Sequence, residues 1–207
     1  MKLHLARLFA VVGIFVFTTM SLASAGPAPD MLVKLTTDEV LAIVRNDKGI
    51  QAGDTKRIYD LVDAKVLPHF DFEHMTQLAI GKYWNRVTSE QKKRLVREFR
   101  TLLVRTYSSS LRDFGESDVK VKPLNLRPGD NAVIVKTEVQ QPGAQPLPID
   151  YRMERTAGGW KAYDITVDGV SLVTNYRSSF ANEIRAKGID GLIETLAAKN
   201  ASTADNL

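Results

Sequence analysis

The chain contains no cysteine. Disulfides, thiol nucleophiles and thiolate metal sites are therefore excluded, and an exported form must be held by core packing alone. Histidine is nearly as scarce, with three residues in the chain, one of them His4. No strong charge imbalance is present either: 28 Lys and Arg face 24 Asp and Glu, too small an excess to argue for nucleic acid. There is no nucleophile elbow, since Gly169-Val170-Ser171 lacks the closing glycine and no histidine follows it. A phosphate-binding glycine loop is missing too. Long hydrophobic runs are absent save one, Leu8 to Met20, which is short for a membrane span.

That run has the plan of a secretory leader. Lys2 and Arg7 precede it, and Ala23-Ser24-Ala25 follows as a small-residue cleavage site. The sequence thus predicts a signal peptide over 1–25, cleaved after Ala25, with the bacterial periplasm as the natural compartment. A lipoprotein anchor would need a cysteine. Some 182 residues remain, with 26 basic against 24 acidic side chains, enough for one domain over 26–200 and a frayed polar tail over 201–207.

Local signals divide that domain. Gly26 to Leu35 holds two prolines and reads as a lead-in. Thr36 and Glu39 have capping-box spacing ahead of Val40, Leu41, Ile43 and Val44, so a first helix is predicted from Thr36 to about Asn46. Asp54 opens a second helix, and Leu67-Pro68 breaks it. Asp71 caps a third, which Gly81 ends. Thr88 and Gln91 form another capping box before the longest helix, whose stripe is Leu95, Phe99, Leu102, Leu103, Tyr107 and Leu111. Lys93, Arg94, Arg97, Arg100 and Arg105 lie largely off that stripe, as a solvated face or a partner-docking patch.

Beyond Gly115 the period becomes two. Strands are predicted around Val119–Val121, Val133–Val139, Ile149–Met153 and Trp160–Val167, linked by turns at Arg127-Pro128-Gly129-Asp130 and Thr156-Ala157-Gly158-Gly159. Short connections make them an antiparallel meander. Within the last, Tyr163, Ile165 and Val167 alternate with Ala162, Asp164 and Thr166. After Asp168-Gly169 the apolar residues fall at Leu172, Val173, Tyr176, Phe180 and Ile184, which is helical spacing. Asp168 is read as the cap of that helix. The expected fold is α+β: a twisted four-stranded antiparallel sheet with helices packed on one face around an apolar pocket.

Little chemistry is on offer. His69 and His74 flank Asp71, but a cap at Asp71 keeps the two histidines off a shared helical face, so no metal site is predicted. Asp164 beside Tyr163 could serve a small isomerase-like enzyme; its alternation with Ile165 places it instead on the polar sheet face. An apolar interior remains, either a filled core, as in a protein-interaction module, or a ligand cavity.

Five stretches then resemble a known family. Pro68-His69-Phe70-Asp71-Phe72-Glu73-His74-Met75 leads to Ile80-Gly81-Lys82-Tyr83-Trp84 and Thr88-x-x-Gln91. Phe99-x-x-Leu102-Leu103-x-x-x-Tyr107 continues the series. The most specific block runs Tyr163-Asp164-Ile165-x-Val167-x-Gly169-Val170-Ser171-Leu172-Val173-x-Asn175-Tyr176-Arg177-x-x-Phe180. Together they resemble the toluene-tolerance (MlaC) family over roughly residues 36–198. The resemblance implies a non-enzymatic, monomeric carrier that holds a glycerophospholipid by its acyl chains, leaves the head group near solvent and needs no other cofactor. It also implies two docking partners, an outer-membrane lipoprotein–porin complex and an inner-membrane ABC-transporter complex, in a pathway that maintains outer-membrane lipid asymmetry.

Two acyl chains carry on the order of 30 methylenes, and at ~0.8 kcal/mol each their exposure would cost over 20 kcal/mol. A diffusing carrier must envelop them. Periodicity within the matching blocks nominates Phe99, Leu103, Tyr107, Val135, Tyr151, Ile165, Val167, Val170, Leu172, Val173, Tyr176 and Phe180 as lining of a hollow between the sheet and the two long helices. Thr137 is the one polar residue on the sheet's inner face. Lys82 and Arg177 are candidates for the pocket mouth or a partner contact, with a local acid as the other outlet for Arg177.

Overall fold

The computed structural model describes residues 26–204; the expected leader, Met1 to Ala25, and the last three residues lie outside the described residues. Helix α1 (Pro29–Asn46) starts seven residues earlier than Thr36. Pro29 occupies the first turn, where a missing N–H costs nothing, so most of the expected lead-in is helix. Thr36 and Glu39 fall inside it and form no capping box. Asp47 accepts the amides of Gly49 and Ile50 to start the short α2 (Lys48–Gln51), and Asp54 starts α3 (Thr55–Leu61) by accepting from the Arg57 amide. A π-helical turn over Val62–Val66 and a 3₁₀ turn over Leu67–His69 follow. Asp71 accepts the His74 amide at 2.8 Å to open α4 (Phe72–Ile80). Gly81, at φ +56°, ends it. The Thr88–Gln91 capping box is closed in both directions at the start of α5 (Ser89–Tyr107). A short α6 (Ser110–Asp113) leads to the sheet.

The sheet has five strands rather than four, in the order β1 (Asp118–Val121), β2 (Ala132–Gln140), β3 (Leu147–Thr156), β4 (Gly159–Val167), β5 (Val170–Ser171), all antiparallel. The extra strand arises because Asp168 and Gly169 both take positive φ, +48° and +78°, as a two-residue hairpin turn requires. Asp168 therefore turns the chain but does not cap the helix. Ser171 takes that role: its Oγ accepts the Thr174 amide at 3.0 Å. Helix α7 (Leu172–Ala204) then runs into the expected tail, broken at Gly188, where φ is +74°. On the inner sheet face Thr137 is buried and donates to the Ile149 carbonyl at 2.7 Å, and Arg155, opposite Trp160, lays its guanidinium over that ring at 4.7 Å.

A bulge interrupts the β3–β4 pairing. Met153 pairs with Ala162 and Arg152 with Asp164, which leaves Tyr163 unpaired and shifts the inward phase of β4 by one residue. Asp164 therefore stands opposite Arg152, on the face away from Ile165 as its alternation predicts, but the start of α7 covers that face there, so it is not solvated. It is 1 % exposed, accepting from Ser171 Oγ at 2.6 Å and from the Val173 amide at 3.2 Å.

α1 crosses β1 and β2, while the Leu67–His69 turn, α4 and α7 pack on β4. The core is divided into three apolar clusters. One fills the space between α4, α5 and α7, one joins α1, α3 and the π turn, and one covers the inner sheet face around Val135, Met153 and Trp160.

Candidate functional site

The three clusters do not merge. Between them lies a cavity of about 290 Å³ that is open to solvent. α1 contributes one wall through Leu32, Val33, Thr36, Thr37, Val40 and Leu41. The π turn and the segment after it contribute Val62, Val66, Leu67, His69 and Phe70, and α4 adds Phe72 and Met75. Leu103, Val104, Tyr107 and Ser108 come from the C-terminal half of α5 and its end. The sheet closes the floor with Val119, Val139, Ile149, Tyr151, Met153, Ala162 and Ile165. No Asp, Glu, Lys or Arg lines it. The π turn is a rare local geometry that widens a helix, often beside a functional site, and here two of its five residues face the cavity.

Polar groups on the wall are few and neutral. Burial pushes the Tyr151 phenol up to about 12, so it stays a hydrogen-bond donor. Ser108 Oγ is buried with no hydrogen-bond partner. Burial, and secondarily the Lys161 charge, pulls His69 below its ordinary value, with Glu39 opposing. Such a wall accommodates hydrocarbon and offers isolated hydroxyls to a polar linkage; it sets no nucleophile beside a base.

Of the nominated lining residues, Leu103, Tyr107, Tyr151, Ile165 and Leu172 stand on the cavity wall. The other seven do not. Phe99, Tyr176 and Phe180 form an aromatic cluster with ring centroids 5.2–5.4 Å apart, and with the buried Val173 they fill the α5–α7 interface. The cavity thus lies between the sheet, α1 and the C-terminal half of α5 rather than between the sheet and both long helices, because large rings occupy the α5–α7 side. Val135 is buried in the sheet cluster, Val167 is half-buried and off the wall, and Val170, on the two-residue β5, is 58 % exposed.

The two nominated cations also stand away from the cavity. The Arg177 guanidinium packs over Gly81, with Nη2 3.0 Å from where a Cβ would sit, and among the described residues no acid pairs with it. Lys82 Nζ lies 5.5 Å from the Tyr83 ring centroid. His74 diverges from His69: its Nδ1 meets Glu154 Oε1 at 2.6 Å and its ring stacks on Tyr163. Among the described residues no group of three or more His, Asp or Glu could hold a metal ion. Asp164 spends its carboxylate on the start of α7 and does not reach the cavity. No described helix is long and apolar enough to cross a membrane.

Sequence reasoning missed α1 and the π turn as walls. The signal was available in part: Leu32, Val33, Thr36, Val40 and Leu41 recur at helical spacing once the prolines are read as a helix start.

Comparison with known proteins fits this geometry. The MlaC protein family matches residues 34–198. The toluene tolerance protein Ttg2D of Pseudomonas putida is 26% identical over 191 residues, covering 89% of this chain and 88% of that protein. The intermembrane phospholipid transport system binding protein MlaC of Haemophilus influenzae is 20% identical over 180 residues, covering 86% and 84% respectively. A solved structure of the phospholipid-binding protein from Ralstonia solanacearum, in complex with a phospholipid, superposes with a TM-score of 0.79 at 35% identity, covering 86% of this chain and 99% of that one. A family match over most of the chain and a shared architecture lead to one conclusion: the chain belongs to the MlaC family.

Proposed function

We propose that this protein is a periplasmic carrier of glycerophospholipid, holding the acyl chains in the cavity between α1, α5 and the sheet and carrying lipid between an outer-membrane lipoprotein–porin complex and an inner-membrane ABC-transporter complex, so that outer-membrane lipid asymmetry is kept. The observation that carries this reading is the cavity wall, which is apolar without a single charged side chain and open to the exterior. An uncharged wall suits tails whose transfer from water is worth over ~20 kcal/mol, and the phospholipid in the Ralstonia solanacearum relative supports the same cargo.

At about 290 Å³ the cavity is at the small end of ligand pockets. A two-chain lipid therefore needs its walls to part, and we infer that α1 is the wall that moves. It crosses the sheet as a single helix, tied at its flank by Lys65 Nζ to Glu39 Oε1 at 2.6 Å and at its end by Arg45 to the Gly115 and Ser117 carbonyls. Release from so tight an envelope calls for a membrane-bound partner that offers the tails another apolar route. The exposed Lys82 and Arg177 are candidates for that contact.

Native mass spectrometry of protein purified from a bacterial periplasm without detergent tests the reading. An adduct of phospholipid mass is expected. Protein that is repeatedly free of lipid, and takes none from vesicles, would leave the interaction-module interpretation in its place.

A further inference from the structure

Beside the apolar cavity lies a polar one. A groove of about 310 Å³ shares Leu67 and Val104 with the cavity wall and is otherwise lined by Tyr59, Asp60, Asp63, Arg100, Thr101 and Arg105. Its acids are already engaged: Asp60 pairs with Lys56 at 2.6 Å and Asp63 with Arg100. The Thr101 hydroxyl gives its hydrogen to the Arg97 carbonyl at 3.0 Å. Arg105 is different. Its Nη1 is buried with no hydrogen-bond partner, and no carboxylate among the described residues pairs with it. A guanidinium cannot shed its charge, and a buried unpaired donor is costly. With the acids neutralised by their own partners, the groove keeps one spare cation, and the Tyr59 hydroxyl, which bonds nothing else among the described residues, is a second donor beside it.

We propose that this groove seats the phosphodiester of the cargo lipid, with Arg105 as the principal anion contact and Tyr59 as the second donor, while the tails pass Leu67 and Val104 into the cavity. The proposal rests on the carrier reading and adds to it a selectivity rule. The protein distinguishes phosphodiester lipids from neutral diglycerides of the same chain length. It does so without reading whatever is esterified beyond the phosphate, for which the groove has no unpaired acid.

The test is a competition. Delipidated full-length mature protein is offered equimolar dipalmitoylphosphatidylglycerol and dipalmitoylglycerol in mixed vesicles, and the adducts are counted by native mass spectrometry. Wild type should favour the phospholipid by about tenfold or more, the scale of a charge-assisted hydrogen bond. Arg105→Gln should bring the ratio to within about twofold of parity, Arg105→Lys to an intermediate value, and Tyr59→Phe should lower it several-fold. A ratio unchanged in Arg105→Gln overturns the proposal. A second arm titrates delipidated protein with inorganic phosphate and follows its ³¹P resonance. An Arg105-dependent shift together with an unchanged lipid ratio makes the groove a site for free phosphate and also overturns the proposal. If Arg105→Gln does not fold, judged by far-UV circular dichroism, the Tyr59→Phe ratio decides alone. Failure of the carrier reading looks different: wild type then takes up neither lipid.

Discussion

Asp164 holds the start of α7 through Val173, whose amide its Oδ1 accepts at 3.2 Å while its Oδ2 accepts from Ser171 Oγ at 2.6 Å. The carboxylate is buried beneath the helix it anchors, where it also faces the positive end of the helix dipole. Asp164→Ala removes two hydrogen bonds to a charged group and should lower stability by about 2–3 kcal/mol in urea denaturation. Asp164→Asn, which keeps an acceptor, should lose less. Because Asp164 does not touch the cavity, the folded fraction of either variant should retain its lipid.

Ala162 lies at the cavity floor, 2 % exposed, against Met153 of the neighbouring strand. Ala162→Leu extends a side chain into empty space, so stability should stay within about 1–3 kcal/mol of wild type. Lipid co-purification should fall several-fold, measured as the bound-to-free ratio in native mass spectra. Undiminished lipid in a folded variant would move the tails elsewhere.

The Lys65–Glu39 contact offers a way to lock α1. At 2.6 Å the ammonium and carboxylate can be joined as an amide by a water-soluble carbodiimide, with Glu39→Gln as the control that cannot be joined there. The bridged, delipidated protein should load lipid from vesicles several-fold more slowly than the equally treated control, and peptide mapping confirms the bridge. Equal rates would mean that α1 does not move during loading.

His69 gives a pH dependence. Burial lowers its folded-state pKa, so the folded protein binds fewer protons at this group than the unfolded chain does. Its contribution is fully present above the unfolded value of about 6.5 and is lost as pH falls through that value toward the lowered one. The Tm difference between wild type and His69→Gln should therefore shift against wild type on acidification from about pH 7.5 to 5.5. A pH-independent difference would show that His69 is not desolvated on the wall.

Local grammar carried far in this chain. Asp71, Gly81 and the Thr88–Gln91 pair each fix a helix end by bonds to their own neighbours, so a few residues suffice to read them. The same grammar misled at Thr36 and Glu39, where the spacing is right but the helix is already running, because Pro29 starts it earlier. Five of the twelve nominated lining residues stand on the wall, since periodicity finds the buried face. It cannot say whether that face meets rings, as Phe99 does, or space, as Leu103 does in part. A void is a shortfall of volume among three distant segments, and no single segment records it. The fifth strand was invisible for a simpler reason: two residues are too few to show a period.

The spare residue in β4 has a consequence for the cavity's solvation. Trp160 and Ala162 point inward before it, and Ile165 after it. Had β4 kept strict alternation through Tyr163, the next inward position would be Asp164, and a carboxylate would stand among hydrocarbon with no cation on the wall to meet it. Such a group would take up a proton or draw in water, at a cost of several kcal/mol either way. One unpaired tyrosine thus keeps the acid off the cavity wall and gives it a helix to hold.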